Sequence, residues 1–421
     1  MSEDRPKLTR GLVQSLGQVE DSQQQVRIIV RYSSSARVMR HVEPMRGVRR
    51  SYNYHLRPFA AMQATPEAIQ QLESDPDVVK IYQDLPVHAI LDTGLPIVQV
   101  PRLWQEGLGG AGVRIAIVDT GIDPAHPDFE GRIAAMTDLT GEGPVDGNGH
   151  GTHCAGIAAG SGAASDGKYR GVAPAATLYS AKVLRSDGQG MTSDVMAGVE
   201  WAVDQGVQII SLSLGSAGSS DGTDALSELC DAAVEQGIMV CVAAGNEGPG
   251  SYTIGSPGAS RQALTVGAST DTDEIASFSS RGPTADGRLK PDIVCPGVNI
   301  IAPRAKGTAM GTIVNDSYTA ASGTSMATPL AAGICALLLE AEPQLTPLEI
   351  KARLIGTAVD LGADAYAQGK GRLDAWRARH TEVEPEPTPQ PQPQPPQPSP
   401  SPGQGCLTAL FSLLFIMPRR Q

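Results

Sequence analysis

Residues 113–123 read VRIAIVDTGID, a run that is apolar apart from Arg114 and ends in an aspartate and a glycine turn. Similar runs recur at 177–183 (TLYSAKV), 208–214 (QIISLSL) and 238–244 (IMVCVAA). Runs without polar alternation predict strands that are covered on both faces of a sheet. The opening stretch therefore predicts a central strand of a parallel sheet, with Asp119 at its carboxyl end.

Helical patterns separate these strands along the chain. Residues 192–206 (TSDVMAGVEWAVDQG) and 223–237 (TDALSELCDAAVEQG) both end in a glycine, which is typical of a helix C-terminus. Strands that alternate with helices form parallel sheets through right-handed crossovers. We therefore expect an α/β fold with a doubly wound, mainly parallel sheet and helices on both faces.

The composition limits the class of protein. The chain has 421 residues, of which 41% are hydrophobic and 19% charged, and this predicts a globular protein of two or three domains. A net charge of −12 argues against nucleic acid as a partner, because phosphate contacts need a basic surface. The six cysteines form no close pairs, which argues against a disulfide framework or a zinc site. No apolar run approaches the length of a transmembrane helix.

The part of the chain before the sheet divides in two. Residues 1–25 are polar and rich in glutamine, so we expect them to be disordered, and they lack the apolar run of a signal peptide. Residues 26–92 predict a small α+β unit with a strand at 26–32, a helix at 65–75 capped by Thr65, and a strand at 78–84.

The remainder predicts a large domain and two terminal segments. We expect the α/β domain over 93–380 and an extended Pro/Gln-rich linker over 381–405. Residues 406–421 form an apolar tail that closes on basic residues and is too short to span a bilayer. The tail is compatible with a cell-envelope sorting or anchoring signal, and equally with an unselected extension or an interfacial segment.

Two segments carry candidate acid–base residues. Asp119 follows the strand quoted above, although an isolated aspartate at this place is usually a turn residue. His150 and His153 open a glycine-rich helix in DGNGHGTHCAGIAAG (146–160). A metal-binding pair and two structural histidines are alternatives, but no Glu of an H-E-x-x-H pattern and no cysteine pair completes a metal site.

Two further segments carry candidate catalytic groups. Ser325 stands at the start of a long apolar helix in SGTSMATPLAAGICALLLEAE (322–342), where a serine is most often a helix cap. A hydroxyl at this end also lies at the positive end of the helix dipole, which favours an oxyanion. Asn246 follows an apolar strand in VAAGNEG (242–248), either as a turn residue or as an amide donor.

Along the chain the candidate residues occur in the order Asp119, His150, Ser325, which is the order of the subtilisins. The chain resembles the subtilisin-like serine peptidases over residues 95–380. The segment GNGHGTHCAGIAA is similar to the thermitase and proteinase K branches. The resemblance implies that Asp119 orients His150, that His150 is the general base, and that Ser325 is the nucleophile. It also implies an oxyanion hole formed by the Asn246 side chain and the Ser325 backbone N–H.

The same resemblance implies how a substrate binds. Residues 186–190, which include Gly188 and Gly190, and the segment Ser213-Leu214-Gly215 resemble the two edges that pair with the substrate main chain. The primary pocket is expected to accept large apolar residues because small residues line it: Ala243, Ala244, Gly245 and Gly255.

The resemblance extends to the N-terminal unit, which is similar to the inhibitor-type prodomain of these peptidases. It implies a zymogen that cuts itself between about residues 88 and 93, with Ile90 or Leu91 at the cut. It implies protein or peptide substrates, no cofactor for the chemistry, and a structural calcium ion for which Asp128 matches a ligand. The resemblance and the tail together imply a secreted or cell-envelope protein. The lack of a signal-peptide pattern argues against this location.

Three function classes are compatible with these residues. An endopeptidase fits best, because a pseudo-enzyme or binding module would usually lack one of the catalytic residues. A different hydrolase or transferase could use the same triad, although the two strand-pairing segments favour extended peptides.

Overall fold

The computed structural model describes residues 7–9, 12, 13, 16, 24–34, 47–84, 86–89 and 96–383. The chain divides into two units, Met1–Pro385 and Glu386–Gln421, and every described residue belongs to the first. Most of the expected linker and the whole apolar tail therefore lie outside the described residues.

The strands of the described chain are β1 (Val26–Tyr32), β2 (Val48–Asn53), β3 (Phe59–Ala64), β4 (Val78–Gln83), β5 (Pro86–Ala89), β6 (Arg114–Asp119), β7 (Ile133–Asp138), β8 (Thr177–Lys182), β9 (Gln189–Met191), β10 (Ile209–Leu212), β11 (Leu214–Gly215), β12 (Met239–Ala243), β13 (Leu264–Ser269), β14 (Ile293–Pro296), β15 (Ile300–Pro303), β16 (Thr312–Ile313) and β17 (Tyr318–Ala321). The helices are α1 (Pro66–Ser74), α2 (Val100–Gln105), α3 (His150–Ala159), α4 (Thr192–Asp204), α5 (Ala225–Glu235), α6 (Thr324–Ala341), α7 (Pro347–Gly356), α8 (Ala365–Gln368) and α9 (Ala375–His380).

The main sheet has seven parallel strands in the order β14-β13-β12-β10-β6-β8-β7. Each apolar run predicted as a strand forms one of its central strands. Alternate side chains of β6 enter two different cores: Ile115 and Ile117 pack with α3 and α6, whereas Ala116 and Val118 pack with α4 and α5. The predicted doubly wound α/β fold is confirmed.

One described helix, α6, is long and apolar enough to cross a membrane, but 89% of its most apolar window is buried inside the protein. It contacts α3 and five strands of the main sheet, so its apolar residues form the centre of the larger core.

The N-terminal subdomain, residues 7–84 as far as described, has a four-stranded antiparallel sheet in the order β2-β3-β1-β4. Helix α1 begins after Thr65, whose hydroxyl accepts from the Ala68 amide at 3.3 Å, as predicted. The sequence did not predict β2 and β3, because their residues lack a clear alternation of apolar and polar side chains.

The expected disorder of residues 1–25 is wrong for those of them that the structure describes. Leu8 pairs with Ile81 of β4, and the Ile81 amide donates to the Lys7 carbonyl at 2.8 Å. Leu12 is fully buried in the core of the N-terminal subdomain. Leu8, Leu12 and Leu16 recur every four residues and share one apolar face, which a judgement from polar composition overlooks.

Candidate active site

His150 and Asp119 meet at the carboxyl edge of the main sheet. Asp119 ends β6, His150 begins α3, and the His150 Nδ1 lies 2.6 Å from Asp119 Oδ1. The same carboxylate oxygen accepts from the Thr120 amide at 2.7 Å. A Cβ atom on Gly151 would lie 2.1 Å from the Gly121 carbonyl, so glycine is required for α3 to approach β6 this closely.

The two histidines of α3 have opposite electrostatic environments. Burial lowers the pKa of His150, but the charge of Asp119 and the hydrogen bond to Asp119 outweigh burial, so the pKa is raised well above its usual value. Burial lowers the pKa of His153 to about 3, and its Nε2 contacts the Ile300 and Thr319 carbonyls. His153 is therefore a neutral structural residue that joins β15 and β17.

The arrangement does not fit a metal site built on the two histidines. Within the described residues, the one group of metal-capable side chains that lie close together is Asp119, His150 and Cys154. His153 is outside this group, which argues against the metal-pair alternative.

Ser325 lies in the first turn of α6 and is fully buried. Its Oγ donates to the Ser213 carbonyl at 2.8 Å, and the Ser213 hydroxyl donates to the Ser325 carbonyl at 2.8 Å. Cys154 connects the two helices, because its Sγ lies 3.8 Å from His150 Nδ1 and 3.5 Å from the Ser325 carbonyl. The fold therefore brings Asp119, His150 and Ser325 to one place from three distant segments.

Asn246 lies beside Ser325, and only the oxygen of its side-chain amide is hydrogen-bonded to described residues. Its Oδ1 accepts from the Thr324 amide and the Thr324 hydroxyl, each at 3.0 Å. Its Nδ2 is buried and has no hydrogen-bond partner among the described residues. Thr324, which the sequence analysis did not single out, therefore orients Asn246 and leaves the NH₂ group available as a donor.

A pocket of about 480 Å³, including its open mouth, adjoins Ser325 and Asn246. It contains the expected residues Leu214, Gly215, Ala243, Ala244, Gly245 and Gly255. The pocket also contains polar and small residues that were not predicted: Ser216, Ala217, Thr253, Ser256 and Ser280. The first four lie within two residues of a recognised position along the chain, whereas nothing in the sequence pointed to Ser280. Glu247 completes the lining, and its carboxylate accepts from the Gly218 amide at 2.9 Å.

The two expected edge segments flank a strand of this same chain. Strand β5 lies between β9 and β11 and runs antiparallel to both. Gly190 pairs with Val87, and Gly215 pairs with His88. Gly188 lies in the turn before β9, where its amide donates to the Arg185 carbonyl, so it shapes the edge without belonging to it.

Asp128 lies outside this site, in a short 3₁₀ helix at Pro127–Phe129. Its carboxylate accepts from the Tyr318 hydroxyl at 2.9 and 3.0 Å and from the Ala164 amide at 3.0 Å. These donors do not fit a cation-binding carboxylate, and calcium at Asp128 remains a prediction that the geometry does not support.

Sequence comparison finds a family and several relatives of this chain. The subtilase family model matches residues 110–372. The serine protease AprX of Bacillus subtilis is 44% identical over 341 residues, which are 74% of this chain and 77% of the relative. Subtilisin E of the same organism is 36% identical over 325 residues, 76% of this chain and 80% of the relative.

A third relative, the M-protease of Shouchella clausii, is 36% identical over 316 residues, 74% of this chain and 77% of the relative.

None of these findings tests the finer resemblance to the thermitase and proteinase K branches, which stays a prediction. The family match covers more than half of the chain and includes all three residues of the Asp119–His150–Ser325 group. The chain therefore belongs to the subtilase family and is a serine-type endopeptidase.

Proposed function

We propose that this peptidase cuts proteins through Ser325 as nucleophile, His150 as general base and Asp119 as the group that orients His150. The observation that carries the proposal is the buried Asn246 Nδ2, a donor without a partner among the described residues, in the pocket that Ser325 lines. A buried polar group left unpaired costs free energy, so it is expected to serve a transient partner. The oxyanion of an acyl-transfer intermediate is such a partner.

The proposed reaction begins at Ser325. Its hydroxyl contacts the Ser213 carbonyl at 2.8 Å in this structure, and its Oγ attacks the scissile carbonyl of the substrate. His150 then takes the proton, Asp119 stabilises the imidazolium, and Asn246 Nδ2 and the Ser325 N–H bind the oxyanion. His150 next protonates the leaving amine, and a water molecule activated by His150 hydrolyses the acyl-enzyme.

The pocket supports a preference for apolar residues before the scissile bond. Leu214, Ala243 and Ala244 are nearly fully buried and offer apolar surface, while Gly245 and Gly255 add no side chain. A Cβ on Gly255 would lie 2.0 Å from the Ser216 carbonyl. The two pocket segments that contain these residues can therefore lie this close only with glycine at position 255. We expect a large aliphatic or aromatic side chain to gain most from entering this pocket.

The N-terminal subdomain acts in this proposal as an inhibitory prodomain. Asp84 Oδ1 accepts from the Ser193 amide at 2.7 Å and its Oδ2 from the Ser193 hydroxyl at 2.6 Å. Helix α4 has no side-chain cap of its own, so Asp84 satisfies one of its free N–H groups. Farther along α4, Glu200 accepts from the amides of His55 and Leu56 at 2.6 and 2.8 Å.

The register of β5 supports one cut site within the expected range. Ala89 pairs with Leu214, and the carbonyl of the preceding residue, Ser213, lies 2.8 Å from Ser325 Oγ. The described end of β5 therefore lies close to the proposed nucleophile. Residues 90–95 lie outside the described residues. The register favours Ile90 as the residue before the cut and Leu91 as the new N-terminus.

The test compares the full-length chain with its Ser325→Ala variant. The wild-type protein is expected to lose residues 1–90, to show Leu91 at its N-terminus, and to gain one phosphonyl group from a serine-directed fluorophosphonate. The Ser325→Ala protein is expected to keep its full mass and to remain unlabelled. A shortened product from the variant would contradict self-cleavage, and labelling of a serine other than Ser325 would contradict the assigned nucleophile.

A further inference from the structure

The carboxylate of Asp128 is fully buried at a distance from the catalytic group, and a buried charge must be compensated. In the resemblance described above, the compensating group at this position is a calcium ion. The structure offers other partners here. Tyr318, the first residue of β17, is itself fully buried and donates to both carboxylate oxygens, at 3.0 and 2.9 Å.

A second donor comes from the loop that follows α3. The Ala164 amide donates to Asp128 Oδ1 at 3.0 Å, from a short 3₁₀ helix at Ala163–Ser165. The Tyr169 ring packs on the Tyr318 ring with their centroids 4.8 Å apart. The loop at 161–171 therefore closes over Asp128 with an N–H group directed at its carboxylate.

An arginine side chain also binds Asp128, through the main chain. The Arg132 guanidinium donates to the Asp128 backbone carbonyl. Burial lowers the pKa of Arg132, and the charge of Asp128 opposes that shift. Arg132 thus binds Asp128 through the backbone carbonyl, while Tyr318 and Ala164 bind the carboxylate.

These partners are incompatible with a calcium ion on the same carboxylate. Calcium takes six to eight oxygen ligands at 2.3–2.6 Å, usually from several carboxylates and carbonyls. Here the carboxylate oxygens face hydrogen atoms of an O–H and an N–H group, which a cation would repel. Within the described chain, Asp128 belongs to no cluster of metal-capable side chains.

We propose that the Tyr318 hydroxyl, the Ala164 amide and the Arg132 guanidinium replace a calcium ion at Asp128, so that this part of the fold is held without metal. The bond also has a place in the active-site architecture. Tyr318 begins the strand that leads directly to Ser325, and the neighbouring Ser317 carbonyl contacts His126 Nε2 at 2.8 Å. Asp128 therefore anchors the strand that delivers the nucleophile.

The first test uses the full-length Ser325→Ala chain, which cannot digest itself. Its Tm is measured by circular dichroism after exhaustive treatment with EDTA, and again after addition of calcium or magnesium chloride. A bound ion at about a hundred times its Kd would raise Tm by several degrees. We expect no difference among the three conditions.

A calcium response that disappears in Asp128→Asn would show a cation at Asp128 and overturn the proposal. A response that persists in Asp128→Asn arises at another site and supports the assignment made for Asp128.

The second test removes the hydroxyl alone. Tyr318→Phe is expected to lower Tm by about 3–8 °C in EDTA and in calcium alike, because a buried carboxylate loses a donor. Tyr169→Phe is the matched control, since it removes a neighbouring hydroxyl for which no bond to Asp128 is present, and it should leave Tm nearly unchanged. Equal Tm values for the two variants would overturn the proposal.

Discussion

Asn246 has one end of its amide fixed by Thr324 and the other end without a partner among the described residues. An amide held in this way needs no reorganisation when negative charge develops on the substrate oxygen. A leucine has a similar size but lacks the donor. In the proposed mechanism the residue therefore acts through one N–H group.

Asn246→Ala is expected to lower kcat by about 10²–10³, the range known for loss of this donor in a subtilisin, with little change in KM. The measurement is hydrolysis of a peptide anilide after the N-terminal subdomain has been removed. Ser216→Ala, in the same pocket, is the control and should keep kcat near the wild-type value. A rise in KM at unchanged kcat would contradict the role of Asn246 in the oxyanion hole.

The pKa of His150 depends on Asp119. Because Asp119 raises that pKa, His150 gives up its proton only at higher pH, and the acid limb of kcat/KM lies correspondingly high. Asp119→Asn removes the charge, so the acid limb should move to lower pH. The rate should fall as well, by about 10⁴ on the precedent of a chymotrypsin-type triad.

The pH profile of kcat/KM for an ester substrate measures both effects of Asp119→Asn. Asp187→Asn, which removes an exposed acid near β9, should leave the profile unchanged. An unchanged acid limb in Asp119→Asn would mean that Asp119 does not set the pKa of His150.

At the scale of elements, α3 is the helix whose position matters most, because it carries His150 and passes both β6 and β15. Its glycines are contact points: a Cβ on Gly156 would lie 2.1 Å from Pro303 Cδ and 3.1 Å from the Pro303 nitrogen. The amino-acid sequence shows that this helix is rich in glycine. The structure shows which element approaches at each one.

Gly156→Ala is expected to destabilise the Ser325→Ala protein by about 1–3 kcal/mol, because backbone and a proline ring must move to admit the methyl group. Urea unfolding followed by fluorescence gives the free energy of unfolding. The control is Gly250→Ala, where the nearest atom to an added Cβ is the Thr253 Cγ2 at 3.8 Å. Similar stability of the two variants would show that α3 can shift at no cost.

At the scale of the whole molecule, the N-terminal subdomain has its own core and also shares one with the main sheet. Leu12 and Ile69 belong to the first core, whereas Phe59 and Tyr54 pack with α4 and α5 in the second. A subdomain of this size buries too little surface to be very stable alone. We therefore expect the stability of this subdomain to depend on its binding to the main domain.

Leu12→Ala is expected to destabilise the N-terminal subdomain by about 2–5 kcal/mol, because a fully buried leucine leaves a cavity. Val13→Ala is the control on the neighbouring residue, which is 52% exposed, and its effect should stay within about 0.5 kcal/mol. Hydrogen exchange of β1 and β4 in the Ser325→Ala protein measures the difference. Equal exchange in both variants would mean that the segment before residue 24 adds nothing to this core.

The amino-acid sequence by itself determined the parallel sheet and the two helices that follow its strands. It also predicted the four residues to which we assign the chemistry: Asp119, His150, Asn246 and Ser325. These features depend on local patterns: apolar runs, helix ends and short motifs around single residues. The sequence could not show that Thr324 orients Asn246, that β5 lies between β9 and β11, or that Tyr318 binds Asp128. Each of these contacts joins residues that are close only after folding, and the hydrogen-bonding capacity of a side chain does not say which partner it meets. The same reason explains the error at Leu12, whose burial depends on a sheet edge some seventy residues farther along the chain.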